Sequence, residues 1–287
     1  MAPVCVWMII RSATENDRQS LANIIHYEVY VHRHLDWRSP IDWIGRQPCL
    51  IVEQGGRLLS ALICPPDPPE VAWIRLFAVS QEVALEEAWN LLWPIAVEQV
   101  NKQACPPIAA IALRPWFQAL LHQTGFEQVQ EIISLVWDHA ISDSINSVPV
   151  LAIRPMKETD LQSVHSLDNM AFEPLWRISL DTLTSAYQQA CVATVGVSNG
   201  EIIGYQISTS GPMGGHLARL AVLPSHQGNG IGSALVQDVL EKFERRGAIR
   251  VTVNTQRDNL SSLTVYEKAG FRPTSEIYPV YQYRWMM

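Results

Sequence analysis

The sequence predicts a mixed α/β chain in which one fold of about half the length is written twice. Residues 10–20 read IRSATENDRQS and residues 153–163 read IRPMKETDLQS, agreeing at six of eleven positions with an offset of 143. GGRLLSALI at 55–63 lines up with NGEIIGYQI at 199–207, RL at 75–76 with RL at 219–220, and GF at 125–126 with GF at 270–271. Offsets of 144, 144 and 145 keep one register over a whole half-chain, which implies duplication. The predicted domains are 1–140 and 150–287, with 141–149 as a linker inside the polar stretch HAISDSINSVP.

The first half opens on the apolar run VCVWMII, which reads as a strand because it has neither the basic residues before it nor the cleavage site after it of a signal peptide. In the second half LAIRP is a short strand, and ETDLQSVHSLDNMAF has helical spacing with Thr159 and the acid that follows it, Asp160, as its predicted cap. SLDTLTSAYQQ is a second helix. CVATVGVSNGEIIGYQIST is a hairpin, two β-rich runs around the turn signal Asn199-Gly200. HLARLAVLP is a third apolar run, and ALVQDVLEKFERRG is an amphipathic helix closed by Gly247. IRVTVNT reads as a strand, LSSLTVYEKAG as a short helix closed by Gly270, and EIYPVYQYRW as a final strand.

Between the third apolar run and the amphipathic helix stands PSHQGNGIGSALV, with glycines at 228, 230 and 232. The N-terminus of a helix presents unpaired N–H groups and the positive end of the helix dipole, and glycine lets an anion come close. A Walker loop would need Lys and Ser/Thr after the last glycine, where Ser233 and Ala234 stand, and the spacing is not that of a dinucleotide-binding GxGxxG.

QxxGxG written as Gln227, Gly230 and Gly232, together with Asn259, Tyr266 and the YEKAGF ending at Phe271, closely resembles the GNAT superfamily of acyl-CoA-dependent N-acetyltransferases over residues 151–287. The resemblance implies two tandem domains, each a mixed, mostly antiparallel sheet flanked by helices. It also implies acetyl-CoA as cosubstrate and no metal. Leu220, Ala221 and Val222 would run along the pantetheine arm, with the Val222 N–H at the oxyanion. Gln227, Gly228, Asn229, Gly230, Ile231, Gly232 and Ser233 would surround the pyrophosphate, and Asn259 would touch the pantetheine further down. Tyr266 would be the acid that protonates the departing sulfur. The similar ribosomal-protein N-terminal acetyltransferases carry a glutamate base where this chain has Asn254, so the base lies elsewhere, with Glu173, His216 and a water chain as the alternatives.

The first copy resembles the same fold without its chemistry. Its counterpart of the glycine loop, SQEVALEEA at 80–88, has no glycine and three glutamates, and Leu121 stands where Tyr266 would. Such a copy is expected not to hold coenzyme A in the usual way.

Composition bounds the rest. With 48% hydrophobic and 17% charged residues the chain is globular, and a net charge of −7 argues against nucleic-acid binding. No run approaches the roughly 18 apolar residues of a membrane span. Cys5, Cys49, Cys64, Cys105 and Cys191 are odd in number and scattered, which fits a reducing, cytoplasmic setting. Cys191 reads as a small buried hydrophobe. His26, His32, His34 and Asp36 resemble a metal cluster but read better as surface polar residues. YVHRHLDWRSPIDWIG reads as core packing, with an aromatic pocket as the alternative. Lys242, Arg245, Arg246, Arg250 and Arg257 suit either a phosphate or the end of a helix. The function expected is direct attack of a primary amine on acetyl-CoA, the rival being a coenzyme A-binding sensor or scaffold without turnover.

Overall fold

The computed structural model describes residues 7–103, 106–138, 152–211 and 214–285. The linker expected at 141–149, and Cys5 and Cys105, lie outside them. The chain forms two compact units, one of residues 1–129 with 279–287 and one of residues 130–278. These units are not the two linear halves, because the closing strand of each half is divided between them.

In the first unit, β1 (Ile9–Ser12), β3 (Cys49–Gln54), β4 (Arg57–Ile63), β6 (Leu76–Val79) and β2 (Tyr30–Arg33) make a five-stranded sheet in that order. Helix α1 (Arg18–Tyr27) precedes β2. The short β5 (Ala72–Trp73) pairs in parallel with β7 (Ile108–Ile111), which pairs on its other side with Val280–Gln282 of β14 (Arg272–Tyr283). Helices α2 (Leu85–Asn101) and α3 (Pro115–Gln123) bury Trp89, Leu92, Ala96, Phe117 and Leu121 against the sheet.

In the second unit the strand order is β8 (Phe126–Asp138, from Gln130 on), β13 (Arg250–Gln256), β12 (Gly214–Val222), β11 (Glu201–Gly211), β10 (Val192–Ser198) and β9 (Ala152–Pro155). Ile132–Asp138 of β8 ladders antiparallel with Gln256–Arg250, so residues of the first linear half complete the second sheet. Helices α4 (Leu161–Ala171) and α5 (Leu180–Gln189) follow β9; α6 (Ile231–Glu244) and α7 (Leu260–Lys268) follow β12 and β13. Leu217, Val236, Val239, Leu240, Phe243, Val251, Val253, Tyr266 and Phe271 form the core between the sheet and α6 and α7.

The elements predicted in the second half appear in order, including the Asn199-Gly200 turn, where both residues have positive φ (51° and 84°), whereas the strand expected over 4–10 begins only at Ile9 and its residues 4–6 lie outside the described ones. Thr159 does not cap the first helix. Asp160 stands at the N-cap, but its side chain makes no capping bond to α4; its carboxylate instead accepts from the Lys157 N–H at 2.8 Å and holds Arg154 through two bonds of 2.6 and 2.9 Å. In the first unit Asp17 does the same with the Thr14 N–H and Arg11, so the repeated Arg and Asp of the two matching segments are one bidentate ion pair built twice. A second close fit went unread in the sequence: a Cβ on Gly215 would lie 2.3 Å from the Phe243 ring, so β12 and α6 approach as only glycine permits.

Candidate cofactor cleft and active site

The parallel ladder between β12 and β13 runs from Gly214↔Arg250 to Leu217↔Val253 and stops there. Beyond Leu217 a register shift accompanies the pairing of Arg219–Val222 with Ile207–Gly204 of β11. Strand β12 therefore parts from β13, and Leu220, Ala221 and Val222 lie along the edge that opens.

The glycine loop continues directly from that edge. Gln227 donates its side-chain amide to the Val222 carbonyl at 3.1 Å, and Asn229 donates to the carbonyls of His226 and Gln227 at 3.3 and 3.4 Å. Both side chains brace the loop. Gly230, at φ 78° and ψ 0°, is the N-cap of α6 and has no side chain with which to satisfy the first turn. By contrast, Ser179 and Asn259 cap α5 and α7 with side-chain oxygens. The N–H groups of Ile231, Gly232 and Ser233 are thus first-turn donors without a cap, and a side chain at Gly228 would meet nothing within 4 Å. These residues fit a diphosphate.

Asn259 has a role the sequence did not announce. Its Oδ1 accepts from the Ser262 N–H at 3.1 Å and the Ser261 hydroxyl at 2.9 Å, so it starts α7. Tyr266 is 5% exposed, packed near Phe271 with ring centroids 5.7 Å apart, and burial pushes its phenol above the usual value. It keeps its proton at neutral pH.

On the face of β12 turned toward α4, Arg219 donates to both oxygens of Asp168 at 2.6 and 2.9 Å and to the Trp176 carbonyl at 2.8 Å. Its guanidinium lies 3.9 Å from the centroid of Phe172. Tyr205 donates to the same carboxylate, and burial, followed by the charge of Asp168, holds its phenol well above the usual value. This buried cluster ties α4 and the segment Phe172–Trp176 to β12; no motif of spacing marked it. Glu173 is exposed within that segment. His216 sits where the ladder ends, its Nδ1 2.9 Å from Thr252 Oγ1. Lys242 and Arg245 pair with Asp238 and Glu241, Arg246 donates to the Cys191 carbonyl and Arg257 pairs with Glu131.

The first unit repeats the opening and fills it. Ala72↔Ile108 and Trp73↔Ala109 are His216↔Thr252 and Leu217↔Val253 shifted by 144 residues. Likewise Leu76–Val79 pairs with Ile63–Ser60 of β4 as Arg219–Val222 pairs with β11. On the other side of Leu76–Val79, however, lies β2: Tyr30↔Val79, Val31↔Ala78, His32↔Phe77 and Arg33↔Leu76. The His32 ring stacks on Phe117 at 4.0 Å and its Nε2 is 3.1 Å from the Ile74 carbonyl. The Gln81 N–H, in the stretch that replaces the glycine loop, bonds to Glu28 at 3.2 Å.

His32 is buried rather than the surface residue expected, and the remaining polar residues of this stretch are engaged locally. His26 packs edge-on to Tyr27, His34 stacks on Trp73 at 4.7 Å, and Asp36 pairs with Arg75 at 2.7 Å. Among the described residues no group of three or more His, Cys, Asp and Glu is placed to hold a metal ion. Trp43 is fully buried beneath Arg38, Arg46 and Arg75, as core packing requires. Cys49 and Cys64 are buried free thiols and Cys191 is partly buried. No helix among the described residues is long and apolar enough to cross a membrane.

Residues 161–271 match the family model described as Acetyltransferase (GNAT) family, so that segment of the chain is similar to that family. A glucosamine 6-phosphate N-acetyltransferase of Trypanosoma brucei brucei is 29% identical over 134 residues, covering 42% of this chain and 89% of that protein. The [ribosomal protein bS18]-alanine N-acetyltransferase of Escherichia coli strain K12 is 24% identical over 119 residues, with 42% and 79% covered. The N-alpha-acetyltransferase 30 of Schizosaccharomyces pombe is 33% identical over 67 residues; the match spans 23% of this chain and less than half, 45%, of that protein. Over both units the fold is that of a tandem GNAT protein from the clavulanic acid biosynthesis pathway, with a TM-score of 0.64 at 16% identity, covering 96% of this chain and 98% of that one. A GCN5-related N-acetyltransferase from Sphaerobacter thermophilus gives a TM-score of 0.61 at 17% identity, covering 96% and 95%.

Proposed function

We propose that the unit of residues 130–278 transfers the acetyl group of acetyl-CoA to a primary amine, and that the first unit holds no acetyl-CoA. The observation that carries this reading is the open edge of β12 leading without interruption into the uncapped start of α6. In this reading Leu220, Ala221 and Val222 offer backbone groups to the pantetheine arm, and Gly228 to Ser233 give N–H groups to the diphosphate, with Gln227 and Asn229 bracing that turn. Asn259 lends the arm its side-chain amide, since its oxygen is held by α7. Bound together, thioester and amine avoid the entropic cost of meeting. The Val222 N–H faces the developing oxyanion, and Tyr266, kept protonated by burial, gives its proton to the sulfur.

Two relatives are named for acetylating glucosamine 6-phosphate and an alanine of bS18, and both acceptors present a primary amine. Calorimetry with acetyl-CoA tests the binding half of the proposal and should give one site per chain; two equal sites would overturn the assignment of the first unit. Thiol release measured with glucosamine 6-phosphate, an alanine-terminated peptide and spermidine tests the transfer half. Binding without release from any of them would favour a coenzyme A-binding sensor.

A further inference from the structure

We propose that Arg177 selects the acceptor: the amine carries an anionic group, a phosphate or a carboxylate, that the Arg177 guanidinium receives, an assignment that rests on the acetyltransferase reading above. Strand β13 stands between β12 and β8 in the second sheet, and the gap opens between β12 and β13. On β12, Arg219 donates to the Trp176 carbonyl at 2.8 Å; on β8, Gln130 Oε1 accepts the Trp176 indole N–H, also at 2.8 Å. One residue is thereby fastened to the strands on both sides of β13, and the segment Phe172–Arg177 straps the sheet across its gap.

The strap crosses the face turned away from α6 and α7. Val251 and Val253 pack into the core under those helices, so by alternation Thr252, Asn254 and Gln256 lie on the opposite face. Ser134 is the partner of Asn254, and the same alternation along β8 puts Gln130 on that face. With the diphosphate at the start of α6 and the arm in the gap, this face is left to the acceptor and the strap is its wall.

The groups of this face carry no net charge. Thr252, Asn254, Gln256, Ser134 and Gln130 are uncharged, burial lowers the His216 pKa and keeps its ring neutral at pH 7, and Arg219 is matched by Asp168. Arg177 differs. Its Nε donates to the Phe172 carbonyl at 3.1 Å, and among the described residues no carboxylate pairs with it and its Nη groups form no hydrogen bond. Phe172 in turn packs under Arg219, which holds the Arg177 guanidinium beside the residues of this face. Arg177 is partly buried, whereas Glu173, at the start of the strap, is exposed and screened by water. A guanidinium tied at Nε keeps both Nη groups side by side in one plane, the geometry that meets two oxygens of a phosphate or carboxylate. The fork is oriented before the substrate arrives, and a polyamine would meet like charge there.

Two measurements on the full chain test this. Thiol release from acetyl-CoA is compared within pairs of amines that differ by one anionic group: glucosamine 6-phosphate and glucosamine, phosphoethanolamine and ethanolamine, alanine and alaninamide. The anionic member should be favoured about tenfold or more in kcat/KM, the first two pairs reporting on phosphate and the third on carboxylate. Arg177→Gln should bring that ratio toward one, with the loss in KM rather than kcat, and Arg177→Lys should recover part of it by keeping the charge without the fork. Equal rates within every pair, or an unchanged ratio in Arg177→Gln, would overturn the assignment with the acetyltransferase reading intact. Independently of turnover, with coenzyme A saturating, inorganic phosphate should bind the wild-type protein about tenfold more tightly than Arg177→Gln in calorimetry. Equal binding would likewise overturn it. Absence of coenzyme A binding to the wild-type protein would instead remove the acetyltransferase reading, and this assignment with it.

Discussion

Arg219 and Asp168 meet through two hydrogen bonds of 2.6 and 2.9 Å with the carboxylate fully buried, which makes one side-chain pair the bolt between β12 and α4. Removing one member of a buried pair leaves the other charge without compensation. Asp168→Ala should lower stability by about 3–5 kcal/mol in urea unfolding. In the milder Asp168→Asn, Arg219, which holds the Phe172–Trp176 segment, loses the charge that fixes it in place. The acceptor KM should therefore rise while acetyl-CoA affinity holds; equal weakening of both would show a general loosening instead.

Gly230→Asp should weaken acetyl-CoA binding at least tenfold, since a carboxylate at the start of α6 would cap the donors meant for the diphosphate and repel its charge. The left-handed backbone at φ 78° costs an aspartate about 1 kcal/mol, so circular dichroism should show the fold retained. Unchanged affinity in a folded variant would refute the phosphate cradle.

Tyr266→Phe removes one oxygen from a ring that is otherwise core. Its kcat should fall tenfold to a thousandfold, with acetyl-CoA affinity little changed, because the interaction belongs to the transition state alone. Full turnover would return Tyr266 to packing.

Gly215→Ala should cost about 1–3 kcal/mol, the usual range for overpacking, because its methyl would meet the Phe243 ring at 2.3 Å. Phe243→Leu in the same chain should recover part of the loss, measured as the difference in urea midpoints.

The first unit should lose stability as pH falls from about 6.5 toward 4. Burial lowers the His32 pKa to about 4, so in this interval the unfolded chain binds a proton that the folded one refuses. Stability therefore rises with pH here, and His32→Phe should flatten the dependence. An equal slope in that variant would assign it to other groups.

The α/β alternation, the duplication and the glycine loop were legible because each leaves a local mark: a two- or 3.6-residue period, a repeated Arg and Asp that form the same ion pair, a gap in side chains ahead of a helix. Division of the closing strands between the units was not legible, since Ile132–Asp138 reads as a strand whichever sheet receives it. Asn259 was read by its match to a family position, and its capping of α7 went unread because one residue type suits either purpose. The Arg219–Asp168–Tyr205 cluster joins residues 37 and 51 positions apart, so no short motif could announce it.

A tethered segment presents itself to its own slot at an effective concentration on the order of millimolar. Tyr30–Arg33 lies along Leu76–Val79 on those terms, with Glu28 already at the Gln81 amide. Any free molecule seeking that edge competes with an occupant that cannot diffuse away, and exchanges one set of backbone hydrogen bonds for another of the same kind. Glycines at 80–88 would gain nothing in such a competition, since β2, encoded nine residues after Leu21, already takes the backbone groups of that edge.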